Sequence, residues 1–368
     1  MIMADVIVIG GGIAGISAAA ELARGGADVL VLEMEGQIGY HATGRSAAIF
    51  IRNYGNATLR ALNAVAEPIF EQPGEISDQP LLSPRGELMV ASEEELPILD
   101  AYLDGSTGID RLTGKEAAEI VPILRADRIA GAMIERGARG IDVDRLLQGY
   151  ARMLRARGGR IVTGAVVTGL SHRAGLWQVK TAQEQHSAPI IINAAGSWAD
   201  EVSALAGVPR AGLQPYRRSA AIIPTPQGYE TEHWPIFGSI AETWYAKPEA
   251  GKLMVSPADE DPVEPHDAWA DDMVLAEGLH RFEQAVSVPV TRVEHSWAGL
   301  RTFAPDRTPV VGFDPRATGF FWLAGQGGYG VQTAPALSRL TAALIAGVAP
   351  DVSSEVLAAM EPGRFGLE

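Results

Sequence analysis

Near the start of the chain, three glycines (Gly10, Gly12 and Gly15) follow a short run of β-branched residues and precede a helical pattern. This G-x-G-x-x-G spacing suits a pyrophosphate. Glycine lets the backbone approach the phosphates closely, and a helix N-terminus supplies N–H groups and a favourable dipole. Ile13 and Ala14 fill the variable positions. Glu33 closes the next apolar run, where a carboxylate can accept hydrogen bonds from ribose hydroxyls. A second glycine run, Gly325 to Gly330, stands near the C-terminus, again between an apolar stretch and a helical one. The first fingerprint alone fits FAD or NAD. The second favours FAD, whose extended shape draws on both ends of a chain.

The elements that position these residues follow from hydrophobic periodicity. Asp5–Ile9 and Val29–Leu32 read as buried parallel strands flanking a helix from Ile16 to Arg24, a βαβ unit. The stretch from Gly36 to Gly55 reads as a functional loop. Helices are expected at Ala57–Phe70, Thr113–Ile120, Leu146–Arg157, Met273–Ala285 and Ala334–Ala346. Strands are expected at Arg160–Val162, Val166–Leu170, Trp177–Thr181, Ile190–Ile192, Val290–Trp297 and Phe320–Leu323. Leu213–Pro257 reads as antiparallel strands, and Asp259–Asp272 as an exposed connection. The expected fold is α/β: a doubly wound, Rossmann-like FAD-binding domain (1–50, 140–210 and 295–368) with an α+β substrate domain built on an antiparallel sheet (51–139 and 211–294).

Composition narrows the function. A net charge of −15 repels nucleic acid, and the absence of cysteine rules out disulfides, zinc–cysteine sites, iron–sulfur clusters and a cysteinyl–flavin bond, so FAD is expected to be non-covalent. No histidine spacing fits a metal site and no G-x-S-x-G elbow occurs. Asp5 stands where a signal peptide wants positive charge, and Val6–Ala20 is too short and too glycine-rich to span a membrane, so a cytoplasmic address is expected.

Several further blocks carry a family resemblance: 39–48 (GYHATGRSAA), 80–85 (PLLSPR), 193–198 (NAAGSW), 213–220 (LQPYRRSA), 297–303 (WAGLRTF) and 326–330 (QGGYG). With them the chain resembles the D-amino acid oxidase-like family of FAD-dependent oxidoreductases over nearly its whole length, and most closely its bacterial D-amino acid dehydrogenase branch, which includes D-arginine dehydrogenase. The resemblance implies cofactor contacts from the first fingerprint and Glu33. It also implies them from Met34, His41, Thr43, Gly44, Arg45, Ser46, Ala47, Val167, Ala195, Gly196, Trp198, Arg301, Gly327, Gly328, Tyr329, Gly330, Val331 and Gln332. For the substrate it implies Arg301 and Arg218 on the carboxylate, Tyr54 and Tyr245 closing over it, and Glu87 facing its side chain. An arginine fork suits a carboxylate, and a phenol can donate to it while its ring excludes water. Ile49, Ile51 and Arg52 depart from the arginine-preferring pattern, leaving open an apolar or broad side-chain preference.

The activity so implied is oxidative deamination of a D-amino acid through an imino acid. A glycine- or sarcosine-type amine oxidase, and a non-catalytic flavin protein, stand as alternatives. The expected partners are a small amino-acid substrate and an electron acceptor, oxygen or a quinone-like molecule, that the residues leave open.

Overall fold

The computed structural model describes residues 2–365. A six-stranded sheet runs in the order Arg160–Val162, Val29–Leu32, Val6–Ile9, Ile190–Asn193, Phe320–Ala324, Val310–Phe313; only the last pairing is antiparallel. Every residue of Val6–Ile9 is buried. Val6 and Val8 face a core shared with the helices Ile13–Arg24, Val143–Ala156 and Gly330–Ala346. Ile7 and Ile9 face the opposite core, where Trp177, Val179 and Ala188 belong to a small second sheet. Burial on both faces is what an apolar, non-alternating parallel strand requires.

The first helix starts at Ile13, not Ile16. Gly12 is extended, and the Thr43 hydroxyl accepts the Ile13 N–H at 3.0 Å, so the fingerprint's last residues form the first helical turn. Gly15 is thereby pressed onto the strand end. A Cβ there would meet the Gly10 carbonyl oxygen at 2.0 Å.

The larger sheet has nine strands, and Gln214–Ile223 is its spine. Its pairings are antiparallel, except that Glu87–Ala91 runs parallel to Ile236–Ser239. The expected strand Val290–Trp297 is displaced: Val293 is exposed, and pairing runs over His295–Phe303 against Gln214–Ile223. That whole strand pairs into the larger sheet, so the boundary drawn at residue 295 separates it from the strand Gln214–Ile223 beside it. The Asp259–Asp272 segment is the exposed connection expected, save that Asp259 and Ala268 are buried. Asp259 is buried, accepting the Ser219 N–H at 2.6 Å and the Ser219 hydroxyl at 2.8 Å, which ties the segment to the spine. Phe237, Trp244 and Phe282 pack the helix Asp272–Ala285 against this sheet. Among the described residues no helix is long and apolar enough to cross a membrane.

Candidate active site

One cavity of about 560 Å³ runs from the carboxyl ends of the parallel strands to the inner face of the larger sheet. The fingerprint end is built to receive phosphates. The helices Ile13–Arg24 and Gly330–Ala346 both begin on it, and their N-cap residues, Gly12 and Tyr329, provide no side-chain acceptor. Gly10, Gly12, Ala195, Gly196, Gly327, Gly328 and Gly330 line it, so backbone N–H groups border the space unshielded by large side chains. Glu33 lies at the strand end. Burial raises its pKa, while the N–H groups of Glu35 (2.8 Å) and Gly11 (2.5 Å) draw it back toward the charged form. These features fit an extended dinucleotide.

Of the expected cofactor contacts, Ile13, Ala14, Glu33, Met34, His41, Thr43, Arg45, Ser46, Ala47, Val167, Trp198, Arg301, Val331 and Gln332 also line this cavity. Three do not. Gly15 is taken up in helix–strand packing. Gly44 closes a turn, where a Cβ would meet the Gly39 carbonyl at 2.7 Å. Tyr329 packs its ring, tilted, with its centroid 4.7 Å from that of Tyr54. Gln332 lines the cavity with its amide already engaged: Oε1 accepts the Ile51 N–H at 3.2 Å, and Nε2 donates to Asn63 at 2.9 Å. His41 pairs with Glu35 at 2.8 Å and packs on Trp198, at the Glu33 end of the cavity.

At the far end, strand register assembles a cationic face. Tyr216 lies opposite Arg301 and Arg218 opposite Gly299, so Arg218 and Arg301 share one side of the sheet while Arg217 takes the other. Arg217 accordingly points away, bonded to Asp259 and Asp261. The two cavity arginines differ. Arg218 is anchored: its Nε donates to the Asp259 carbonyl at 2.7 Å and its Nη2 approaches Glu260 at 3.5 Å. Arg301 ion-pairs with no carboxylate among the described residues. Burial opposes its charge, but Tyr54, Tyr245 and Glu242 favour it and raise its pKa, so a guanidinium with Tyr54 beside it and no paired carboxylate faces the cavity. Tyr54 and Tyr245 line the same space, and burial holds the Tyr54 phenol protonated. A carboxylate entering this end meets an unpaired fork with phenols beside it.

Glu87 and Met89 alternate onto the cavity wall with Ile236, Ile49 and Ile51. Glu87 is buried, its Oε2 has no hydrogen-bond partner, and burial foremost, then Glu135, pushes its pKa up to about 8. Arg52 does not enter the site. Its guanidinium pairs with Glu67 at 2.6 Å on the exposed side. Glu242 also lines the cavity, unanticipated from sequence; it sits at φ +53° in the turn before Tyr245, and no motif marks it.

This fold and site define an FAD-dependent oxidoreductase. Residues 5–344 match the FAD dependent oxidoreductase (DAO) family, and the chain belongs to it. Similar curated proteins include FAD-dependent oxidoreductase domain-containing protein 1 of Bos taurus, 26% identical over 93% of this chain and 81% of the relative. Mitochondrial dimethylglycine dehydrogenase of Homo sapiens is 23% identical over 99% of this chain, which spans 44% of that protein's length. Among solved structures, glycine oxidase from Geobacillus kaustophilus superposes with a TM-score of 0.86 at 22% identity, covering 99% of both chains. L-proline dehydrogenase from P. horikoshii gives 0.86 at 21%, covering 99% of this chain and 98% of that one.

Proposed function

We propose that the enzyme oxidises the amine-bearing carbon of D-amino acids, giving 2-oxo acids and ammonia through an imino acid. The observation that carries this proposal is the unpaired Arg301 guanidinium, flanked by Tyr54 and Tyr245, in the same cavity as the dinucleotide cradle. Residues of the dinucleotide cradle would hold FAD, which would supply the acceptor for a hydride from Cα. Everything else is orientation. Arg301 grips the substrate carboxylate bidentately, anchored Arg218 adds a second positive charge, and the phenols donate to the carboxylate while covering it. The side chain is then directed toward Met89, Ile236, Ile49, Ile51 and Glu87. Preference for the D configuration rests on the resemblance of 39–48, 193–198 and 297–303 to the D-amino acid dehydrogenase branch.

The test is anaerobic: the yellow protein is mixed with D- and L-amino acids, glycine and sarcosine, and flavin absorbance is followed. Bleaching by D-amino acids alone supports the proposal. Bleaching only by glycine, sarcosine or L-amino acids would replace the substrate while keeping the enzyme class.

A further inference from the structure

Glu87 and Glu135 stand directly opposite one another on the adjacent antiparallel strands Glu87–Ala91 and Gly131–Glu135, so their side chains leave the sheet on the same face. Both are buried. Like charges placed so, away from water, are not both ionised without a compensating cation. Their hydrogen bonding is unequal. Burial raises the Glu135 pKa, but Oε1 accepts the Arg52 N–H at 2.9 Å and Oε2 accepts the Asn53 amide at 2.7 Å, bonds that draw it back toward the charged form. Glu87 Oε2 has no partner, and neither has the nearby Tyr102 hydroxyl. The groups that face Glu87 are Glu135 from the neighbouring strand, Glu242 from the turn before Tyr245, and Tyr102 from the helix Leu96–Leu103; no cation is among them.

The ladder thus presents the cavity with one hydrogen-bonded carboxylate behind and, in front, one carboxyl whose Oε2 lacks a partner and which only Tyr102 draws toward the charged form. The front group is complete in either of two states. It keeps its own proton, or it yields the proton when a positive group arrives.

We infer that Glu135 is a specificity-determining positioning residue: by holding its charge opposite Glu87 it makes the Glu87 end of the cavity proton-linked, so that a ligand with a cationic tail binds with release of a proton while a ligand with an apolar tail does not. The inference rests on the proposal that the ligand's carboxylate docks at Arg301. It accounts for one pocket serving two side-chain chemistries. With its proton, Glu87 sits beside Ile49, Ile51 and Met89 as a neutral wall; without it, Glu87 is the counter-ion of an ammonium or guanidinium.

The test uses the FAD-loaded protein and two ligands without an α-amine, 5-aminopentanoate and pentanoate. Each is titrated calorimetrically near neutral pH in phosphate and in Tris, whose different ionisation enthalpies report the protons exchanged. The expected result is close to one proton released with 5-aminopentanoate and none with pentanoate. Glu87→Gln removes the release. Glu135→Gln lowers it to about half, since losing a like charge moves the front carboxyl down by roughly one pH unit. Binding of both ligands by the unaltered protein without proton release overturns the inference, whatever the variants do. Release unchanged in Glu135→Gln also overturns it, assigning the effect to burial alone. Failure of both ligands to bind, with a flavin that no amino acid bleaches, overturns instead the proposal beneath it.

Discussion

A Cβ built on Gly328 would stand 3.0 Å from Arg301 Cζ and 3.1 Å from its Nη1, so the bare backbone of the second glycine run is the surface against which the guanidinium lies. The two residues come from different parts of the fold, the strand His295–Phe303 and the turn before the helix Gly330–Ala346. Their contact couples the cofactor cradle to the carboxylate fork.

Gly328→Ala is therefore expected to displace the guanidinium by a few tenths of an ångström without disturbing the core. Misplacement by 1 Å costs on the order of a hundredfold, so a fall in kcat/KM of roughly tenfold is expected, with melting temperature unchanged. Steady-state kinetics beside a thermal melt decides it. An unaltered kcat/KM would mean that the Arg301 fork is not used in the reaction.

Arg301→Met tests the fork itself. Charge-assisted hydrogen bonds are worth about 1.5–3 kcal/mol each, and a bidentate pair makes two, so kcat/KM is expected to fall by at least roughly a hundredfold. Because Arg301 forms no ion pair, its removal strands no buried carboxylate, and stability is expected to hold or rise. A variant that keeps its kcat/KM for D-amino acids would refute carboxylate docking at this residue.

The sequence carried most of the scaffold because strong local signals carry it. Apolar β-branched runs became the parallel strands, and glycine runs marked the two turns that border the cavity, although the helices begin at Ile13 and Gly330, three and four residues before the starts Ile16 and Ala334 that periodicity suggested. What local pattern could not supply was the set of long-range choices. Val290 and Val293 look like strand residues, yet the partner strand's register places pairing at His295 instead. The acidic segment after Pro257 reads as solvent-exposed and mostly is, but nothing in it marks the one carboxylate, Asp259, that is buried at its start and satisfies the backbone and hydroxyl of Ser219. Gln332 sits beside a glycine-rich turn and so resembles a cofactor contact; its amide holds Ile51 and Asn63 together. Glu135 and Glu242 carry no motif, and only cross-strand pairing and a turn bring them to Glu87 and Arg301.

Gly15→Ala probes the cradle. The added methyl would meet the Gly10 carbonyl oxygen at 2.0 Å, a backbone atom just past the strand end, and the buried Val8 Cγ1 at 3.1 Å. The first helix must lift from the strand end, an overpacking cost of about 1–3 kcal/mol. The expected outcome is a lower melting temperature together with a reduced flavin-to-protein absorbance ratio. Full flavin content at native stability would show that the helix start can shift without losing its hold on the dinucleotide.

Glu87 also leaves a mark on stability against pH. Its folded-state pKa, about 8, lies above the ordinary 4.5, with burial the main cause and Glu135 the next. Between those values the folded protein keeps a proton that the unfolded chain has released. The stabilisation linked to that proton is fully present below the unfolded value and is lost as pH rises through the folded one. Glu33 and Glu135 are shifted in the same direction, so the total slope does not isolate Glu87. Comparison with Glu87→Gln does, because the amide does not titrate. Denaturant unfolding at about pH 5 and about pH 9 is expected to show the variant gaining on the unaltered protein as pH rises. If the two stability curves run parallel across that range, Glu87 is ionised at neutral pH in the folded protein, and the front carboxyl of the pair has no proton to release.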